Sequence, residues 1–303
     1  MANKIAFIYS YKPEEAWSTP YSLALEFQKR GWEVQIFSLI SSTGNYTESG
    51  IQMMLDQINA GYYIPDIIMY MDWGRFDSAL LDKEKSKGSF WIQEAGDEPQ
   101  NFHLNFPKSD RFHLVLSPDY ESTQKYMDAG RNALWFTHWA DTEIHKTSLF
   151  IVTKYDAVST RGWGSSGILD QLQHDLKDRF FNQNGFLGED HTKVMHSGRM
   201  IVQNSRHHEI TRRIFEGMAC GKMVLTDKLP QKTHLEDLFK DKEDIVYYTS
   251  YEDLRSKIDY YLANPGEREK IATSGHLKVL RYHTQFQRVD TILKQFRTWS
   301  RSK

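Results

Sequence analysis

The chain has 303 residues, of which 40% are hydrophobic, 14% aromatic and 26% charged, and its formal net charge is -2. That composition supplies core for one or two globular domains and excludes a disordered chain. A charge so near zero exerts no global pull on nucleic acid or an anionic membrane, and the single cysteine, Cys220, excludes an intrachain disulfide framework.

The N-terminal apolar run is too short for a signal h-region and no later run approaches a membrane span, so a cytoplasmic protein is expected. "KIAFIYSY" (4–11) reads as a strand. In "TPYSLALEFQKRGWEV", Thr19 is placed to cap a helix with Pro20 in its first turn; Leu23, Leu25 and Phe27 begin its apolar stripe, and Gly31 ends it. "EVQIFSL" resumes as a strand, so the first forty residues form a β-α-β unit whose strands should be parallel. Further strands follow at "PDIIMYM" (65–71), "SFWIQEA" (89–95), "FHLVLSP" (112–118) and "NALWFTHWA" (132–140). Helices lie among them at 50–61 and 119–130.

A second alternating series begins with a strand at 149–159 and a helix at 165–185. It continues through "RMIVQN", the helix "TRRIFEGMAC", "KMVLTD", "DIVYYTS" and one long helix over 251–280. The final "TQFQRVDTILKQFRTW" is helical by period. The expected fold class is α/β, with two Rossmann-like doubly wound domains facing a central cleft: residues 1–145, residues 146–283, and a C-terminal helix over 284–303 crossing back to the first.

Ligands of such sheets bind beyond the carboxyl ends of strands, where loops and helix N-termini present unpaired N–H groups. Neither G-x-G-x-x-G nor a P-loop occurs, which leaves an NAD enzyme or NTPase unsupported. "RGWGSSG" (161–167), with Arg161 and Gly162, is the nearest approach to a phosphate loop; the other reading is an interdomain turn. "SRHHEITRR" follows a predicted strand and enters a helix, which places Ser205, Arg206, His208, Glu209, Thr211 and Arg212 where a ligand would lie. Arg212 and Glu216 stand at i and i+4. They form either a surface ion pair or, for Glu216, a carboxylate offered to a sugar diol. "QEAGDEPQNFH" gathers Glu94, Asp97, Glu98 and His103, as a general base or hydroxyl ligand or as a solvated acidic loop; Glu98 is the candidate carried forward. His138, at a strand end in "THWADTEIH", is hinge, substrate donor or core histidine. The twelve histidines show no H-E-x-x-H spacing, so no metal site is expected.

"GRMIVQNSRHHEITRRIFEGMACGKMVLTD" together with "YHTQFQRVDTIL" resembles the C-terminal domain of GT-B glycosyltransferases, nearest to the CgeB/YkvP-like branch of the group 1 (GT4-like) enzymes. The likeness spans roughly 155–293 and centres on Arg213, Phe215, Glu216, Met218, Ala219, Cys220 and Gly221. It implies a nucleotide-sugar donor, UDP-sugar by preference, with Glu216 on the ribose hydroxyls and the helix N-terminus near the diphosphate. Arg206 or Arg212 would balance the leaving group's charge, so neither a metal nor a further cofactor is needed. Many members carry two glutamates eight positions apart; counting back from Glu216 gives His208, with Glu209 one place off. The resemblance also implies hexosyl or pentosyl transfer, with retention, to a hydroxyl of a glycan, a small molecule or a modified base in DNA. A non-catalytic binding protein on the same scaffold is the alternative.

Overall fold

The computed structural model describes residues 2–10, 19–41, 43–71, 88–148, 150–160 and 167–302, so Arg161 and Gly162 lie outside it. The chain divides into two units, Met1–Thr137 with Phe286–Lys303, and His138–Gln285.

In unit 1 the strands β1 (Lys4–Tyr9), β2 (Glu33–Ser38), β3 (Ile67–Tyr70), β4 (Phe90–Glu94), β5 (Leu114–Ser117) and β6 (Ala133–Trp135) form one sheet in the order β2-β1-β3-β4-β5-β6, all pairs parallel. Helices α1 (Thr19–Lys29), α2 (Ser49–Asn59), α3 (Phe102–Asn105) and α4 (Tyr120–Asp128) connect them. Because side chains alternate along a strand, β1 feeds two layers. Ala6 and Ile8 pack with Ile51, Met54 and Ile58 of α2, while Phe7 meets Phe27 of α1 edge-on at 6.0 Å. Leu23 and Phe27, one helical turn apart, are fully buried beside Ala24. Leu25 is only half-buried, since a two-residue spacing rotates it off that face.

In unit 2, β7 (Tyr155–Ser159), β8 (Phe180–Asn182), β9 (Gly198–Gln203), β10 (Met223–Asp227) and β11 (Val246–Tyr248) run parallel in the order β11-β10-β9-β7-β8. The helices are α5 (Gly167–Leu176), α6 (Gly188–Ser197), α7 (Arg212–Ala219), α8 (Leu235–Leu238), α9 (Tyr251–Ala263) and α10 (Pro265–Tyr282). Met200 and Val202 of β9 join a core with α5 and α9. Ile201 points the other way, to α7, where a Cβ on Gly217 would stand 2.7 Å from its Cδ1. Gly221, with φ +74°, reverses the chain after α7, its N–H donating to Met218 O at 2.9 Å.

The last helix, α11 (Gln285–Arg301), packs within unit 1 from Phe286 onward. Its Trp299 and Phe296 rings lie 5.0 and 6.1 Å from Phe90, and Asp290 pairs with Arg30 at 2.5 Å. The buried Arg288 holds Thr137 through Nε to the carbonyl (2.8 Å) and through Nη2 to Oγ1 (2.5 Å).

Several boundaries differ from the sequence reading. Residues 138–145 group with unit 2 because Ala140 N–H donates to His283 O at 3.0 Å and His145 is buried against α7. The long helix read over 251–280 is two, broken at Asn264 (φ -119°, ψ 66°), because Pro265 disfavours helical backbone in the residue before it. α6 was not expected at all, since "GEDHTKVMHS" carries only Val194 and Met195 as an apolar signal.

α10 packs on α7 through Gly275, where an added Cβ would stand 2.4 Å from the Asp244 carbonyl oxygen and 3.4 Å from Met218. The neighbour is backbone and cannot swing aside. Gly275→Ala is therefore expected to destabilise the chain by about 1–3 kcal/mol through overpacking, measured as a lowered urea midpoint with an unchanged slope.

Candidate functional site

The strand order of unit 2 reverses direction between β9 and β7, the point at which ligands of open parallel sheets bind. The loop 204–211 leaves the carboxyl end of β9 at this point and enters α7. Ser205 fixes its start, donating from N (2.8 Å) and Oγ (2.5 Å) to the two carboxylate oxygens of Asp227, the last residue of neighbouring β10. Arg206, His207 and His208 are exposed, and His208 sits in the left-handed region at φ 56°. The Glu209 carboxylate turns back on its own loop and accepts from His207 N (2.5 Å) and Arg206 N (3.5 Å). Glu209 is thus engaged in shaping the loop.

α7 begins without a side-chain cap. Thr211, at the N-cap, keeps its buried Oγ1 free of any hydrogen bond, and so does the buried Nε of Arg213 in the first turn. A helix N-terminus bearing an unpaired hydroxyl and an unpaired guanidinium N–H has the donors that an anion requires.

One turn further in, Glu216 is 6% exposed. Arg212 Nε lies 2.7 Å from its Oε1, His145 Nε2 lies 3.6 Å from Oε1, and His191 Nδ1 lies 3.8 Å from Oε2. Burial alone would raise the Glu216 pKa. The surrounding charges of Arg212, then His145, His191 and Arg213, outweigh it and bring it to about 2. Burial pushes His145 down to about 4 despite the carboxylate, and lowers His191 as well, so both rings are uncharged at neutral pH. His191 is oriented by its other nitrogen, Nε2, 2.7 Å from Thr160 Oγ1 just beyond β7. Among the described residues, His145, His191 and Glu216 are also those able to approach a cation together, their ligand atoms lying within 4.8 Å of one another.

The sequence candidates are therefore partly assembled. Thr211, Arg212 and Glu216 surround the start of α7, Ser205 and Glu209 shape the loop before it, and Arg206 and His208 project into solvent. His138 is half-buried in unit 2, edge-on to Phe215 at 6.5 Å. Glu98 belongs to unit 1 and is buried there. Ser117 Oγ donates to its Oε2 (2.5 Å), and Tyr126 OH (2.7 Å) and Asn105 Nδ2 (3.3 Å) donate to its Oε1. Both oxygens are occupied by protein donors, which is the geometry of a structural hub. Glu94, the last residue of β4, is pushed up to about 8 by burial, with Asp97 and Glu98 adding to the shift. His145, His191 and Arg213 were not singled out from sequence. Only His145 lay in a segment already flagged, and no local pattern marks His191.

Residues 156–294 match the model of a family described as glycosyl transferase-like. No curated protein sequence gives a significant match. Among solved structures, the chain is similar to sucrose-phosphate synthase from Thermosynechococcus elongatus (TM-score 0.71, 11% identity, 99% of this chain and 100% of that one). It is likewise similar to HepE from Anabaena in complex with UDP-glucose (0.66, 14%, 97% and 99%) and to a UDP-N-acetylglucosamine 2-epimerase from Listeria monocytogenes (0.57, 11%, 97% and 95%). At these identities the likeness is one of fold, and that fold serves more than one chemistry.

Proposed function

We propose, for a chain of GT-B fold whose residues 156–294 form a glycosyl transferase-like domain, that it transfers a sugar from a nucleotide donor, UDP-sugar by preference, to an acceptor hydroxyl. The observation that carries this reading is the start of α7 at the sheet's switch point, where unpaired Thr211 Oγ1 and Arg213 Nε stand one turn from an ionised, buried carboxylate. The first two suit a diphosphate, and Glu216 suits the ribose hydroxyls. The leaving group's negative charge would be met by Arg212, Arg213 and the helix dipole, assisted by Arg206 from the loop, so that transfer proceeds without a divalent metal. Retention at the anomeric carbon, and a hexose or pentose as the sugar moved, belong to the same proposal.

The acceptor is assigned to unit 1, at the carboxyl end of β4, where the Glu94 carboxyl is suited to hydrogen-bond its hydroxyl. A glycan or small-molecule acceptor fits the net charge of -2 better than DNA does.

A panel of nucleotide sugars, assayed for transfer or slow hydrolysis, tests the function; no turnover of any donor would refute it. Arg213→Ala is expected to weaken UDP binding by about 10–100-fold, the loss of one charge-assisted hydrogen bond, as read by calorimetry. An unchanged affinity would remove the diphosphate from this site.

A further inference from the structure

We propose that His145, His191 and Glu216 form a binding site for a zinc-class divalent transition metal, and that the metal there competes with the nucleotide donor. The competition rests on Glu216 holding the donor, as proposed above; the metal site itself does not.

The three side chains come from separate segments: the stretch after β6, helix α6 and helix α7. His145 Nε2 and His191 Nδ1 stand 3.6 and 3.8 Å from the carboxylate oxygens, too far for hydrogen bonds. A central ion with bonds of about 2.0–2.1 Å to imidazole nitrogen and carboxylate oxygen holds its ligand atoms roughly 3.3 Å apart. Side-chain rotation can therefore close these gaps around a metal, whereas the direct contacts satisfy neither ring. His191 is already turned by the Thr160 hydroxyl, the kind of outer contact that fixes a ligating imidazole. Two imidazoles and one carboxylate suit zinc, and three protein ligands leave a fourth position open.

Arg212 and Arg213 oppose a divalent cation. Arg212 pairs with Oε1, and its side chain is 21% exposed, so it can withdraw toward solvent when a metal takes the carboxylate. This places the site among moderate binders and sets the sign of a test, because removing the Arg212 charge must tighten metal binding.

The tag-free, chelator-treated full chain is titrated with Co2+ alone, followed by its visible absorption, and the bound ion is then displaced with Zn2+. One equivalent per chain is expected. His145→Gln and His191→Gln should each weaken binding at least 100-fold, and Arg212→Leu should strengthen it about tenfold. Absence of stoichiometric binding, or binding kept by both histidine variants, overturns the site. If the histidine variants fail to fold, by circular dichroism, an Arg212→Leu chain that binds no more tightly overturns it instead. UDP affinity is then measured on the Zn2+-loaded chain after free metal is removed. A drop of tenfold or more supports the competition, and an unchanged affinity overturns that half alone. A metal-free chain that binds no UDP would count against the donor reading while leaving the metal site standing.

Discussion

Glu216→Ala is expected to abolish donor turnover and to lower stability by about 3–5 kcal/mol, because it removes the buried carboxylate that pairs with Arg212 at 2.7 Å and supplies the larger favourable charge to Arg213. Both losses have one origin: the carboxylate that would receive the ribose is also the anion that keeps Arg212 and Arg213 in place. Calorimetry with UDP separates them, since a folded Glu216→Ala chain with wild-type UDP affinity would confine Glu216 to the structural role. The same group sets an acid limit. Its pKa is about 2 in the folded chain against an ordinary value of 4.5, so its contribution, roughly 3 kcal/mol, is present above pH 4.5 and is lost as the pH falls through 2. His145, held neutral by burial, acts in the same direction, because protonating it at low pH favours unfolding.

Glu98→Ala is the second large effect, and it falls on folding. Ser117, Tyr126 and Asn105 are all 0% exposed; Tyr126 OH and one Asn105 Nδ2 hydrogen would lose their acceptor, while Ser117 Oγ can still donate to Asp119 O and Asn105 Nδ2 to Gly96 O. At about 1–3 kcal/mol for each of the two stranded groups, the variant should lose about 2–6 kcal/mol of stability or fail to accumulate. Retained stability would show that the hub relaxes or admits water. The pH dependence here is opposite to that of Glu216. Burial raises Glu98 to about 7, partly offset by Ser117, Tyr126 and Asn105, so the folded chain holds this proton more tightly than the unfolded one. That stability is complete below pH 4.5 and is lost as the pH rises through 7. Because His145 acts the other way between about pH 4 and 6.5, the Glu98 part is read by comparison with Glu98→Gln: the stability advantage of the unsubstituted chain should shrink as the pH rises from 4.5 to 7, and an advantage that grows over that range would contradict this assignment.

Much of the fold was legible because hydrophobic periodicity is a local property. Strands such as "KIAFIY" and "FWIQE" are apolar on both faces because helices cover both sides of the sheet, and the helices between them made parallel pairing the expected outcome. The turn at Gly221 and the charged loop before α7 were readable for the same reason, since each depends on neighbours a few residues away. Where periodicity was weak the reading failed. Helix α6 was missed, and β8, three residues long, was absorbed into a helix.

The site was legible only in half. The chain's own order placed Thr211, Arg212 and Glu216 on one helix start at the end of a strand, and an i, i+4 relation between a guanidinium and a carboxylate is visible without coordinates. Whether Glu216 faced water or the interior was not, because burial depends on how α7 lies over β9, and that is decided by the absent side chain at Gly217. Nor could the sequence bring His145 and His191 to the same carboxylate from 71 and 25 positions away (216 − 145 and 216 − 191). The same limit applies to Glu98, which looked like a free acid in a polar loop until packing brought Ser117 and Tyr126 onto its oxygens. Local chemistry determined which residues could act. Long-range packing decided which carboxylates are spent holding the fold together, because the hydrogen-bond partners and dielectric that settle that question come from distant segments.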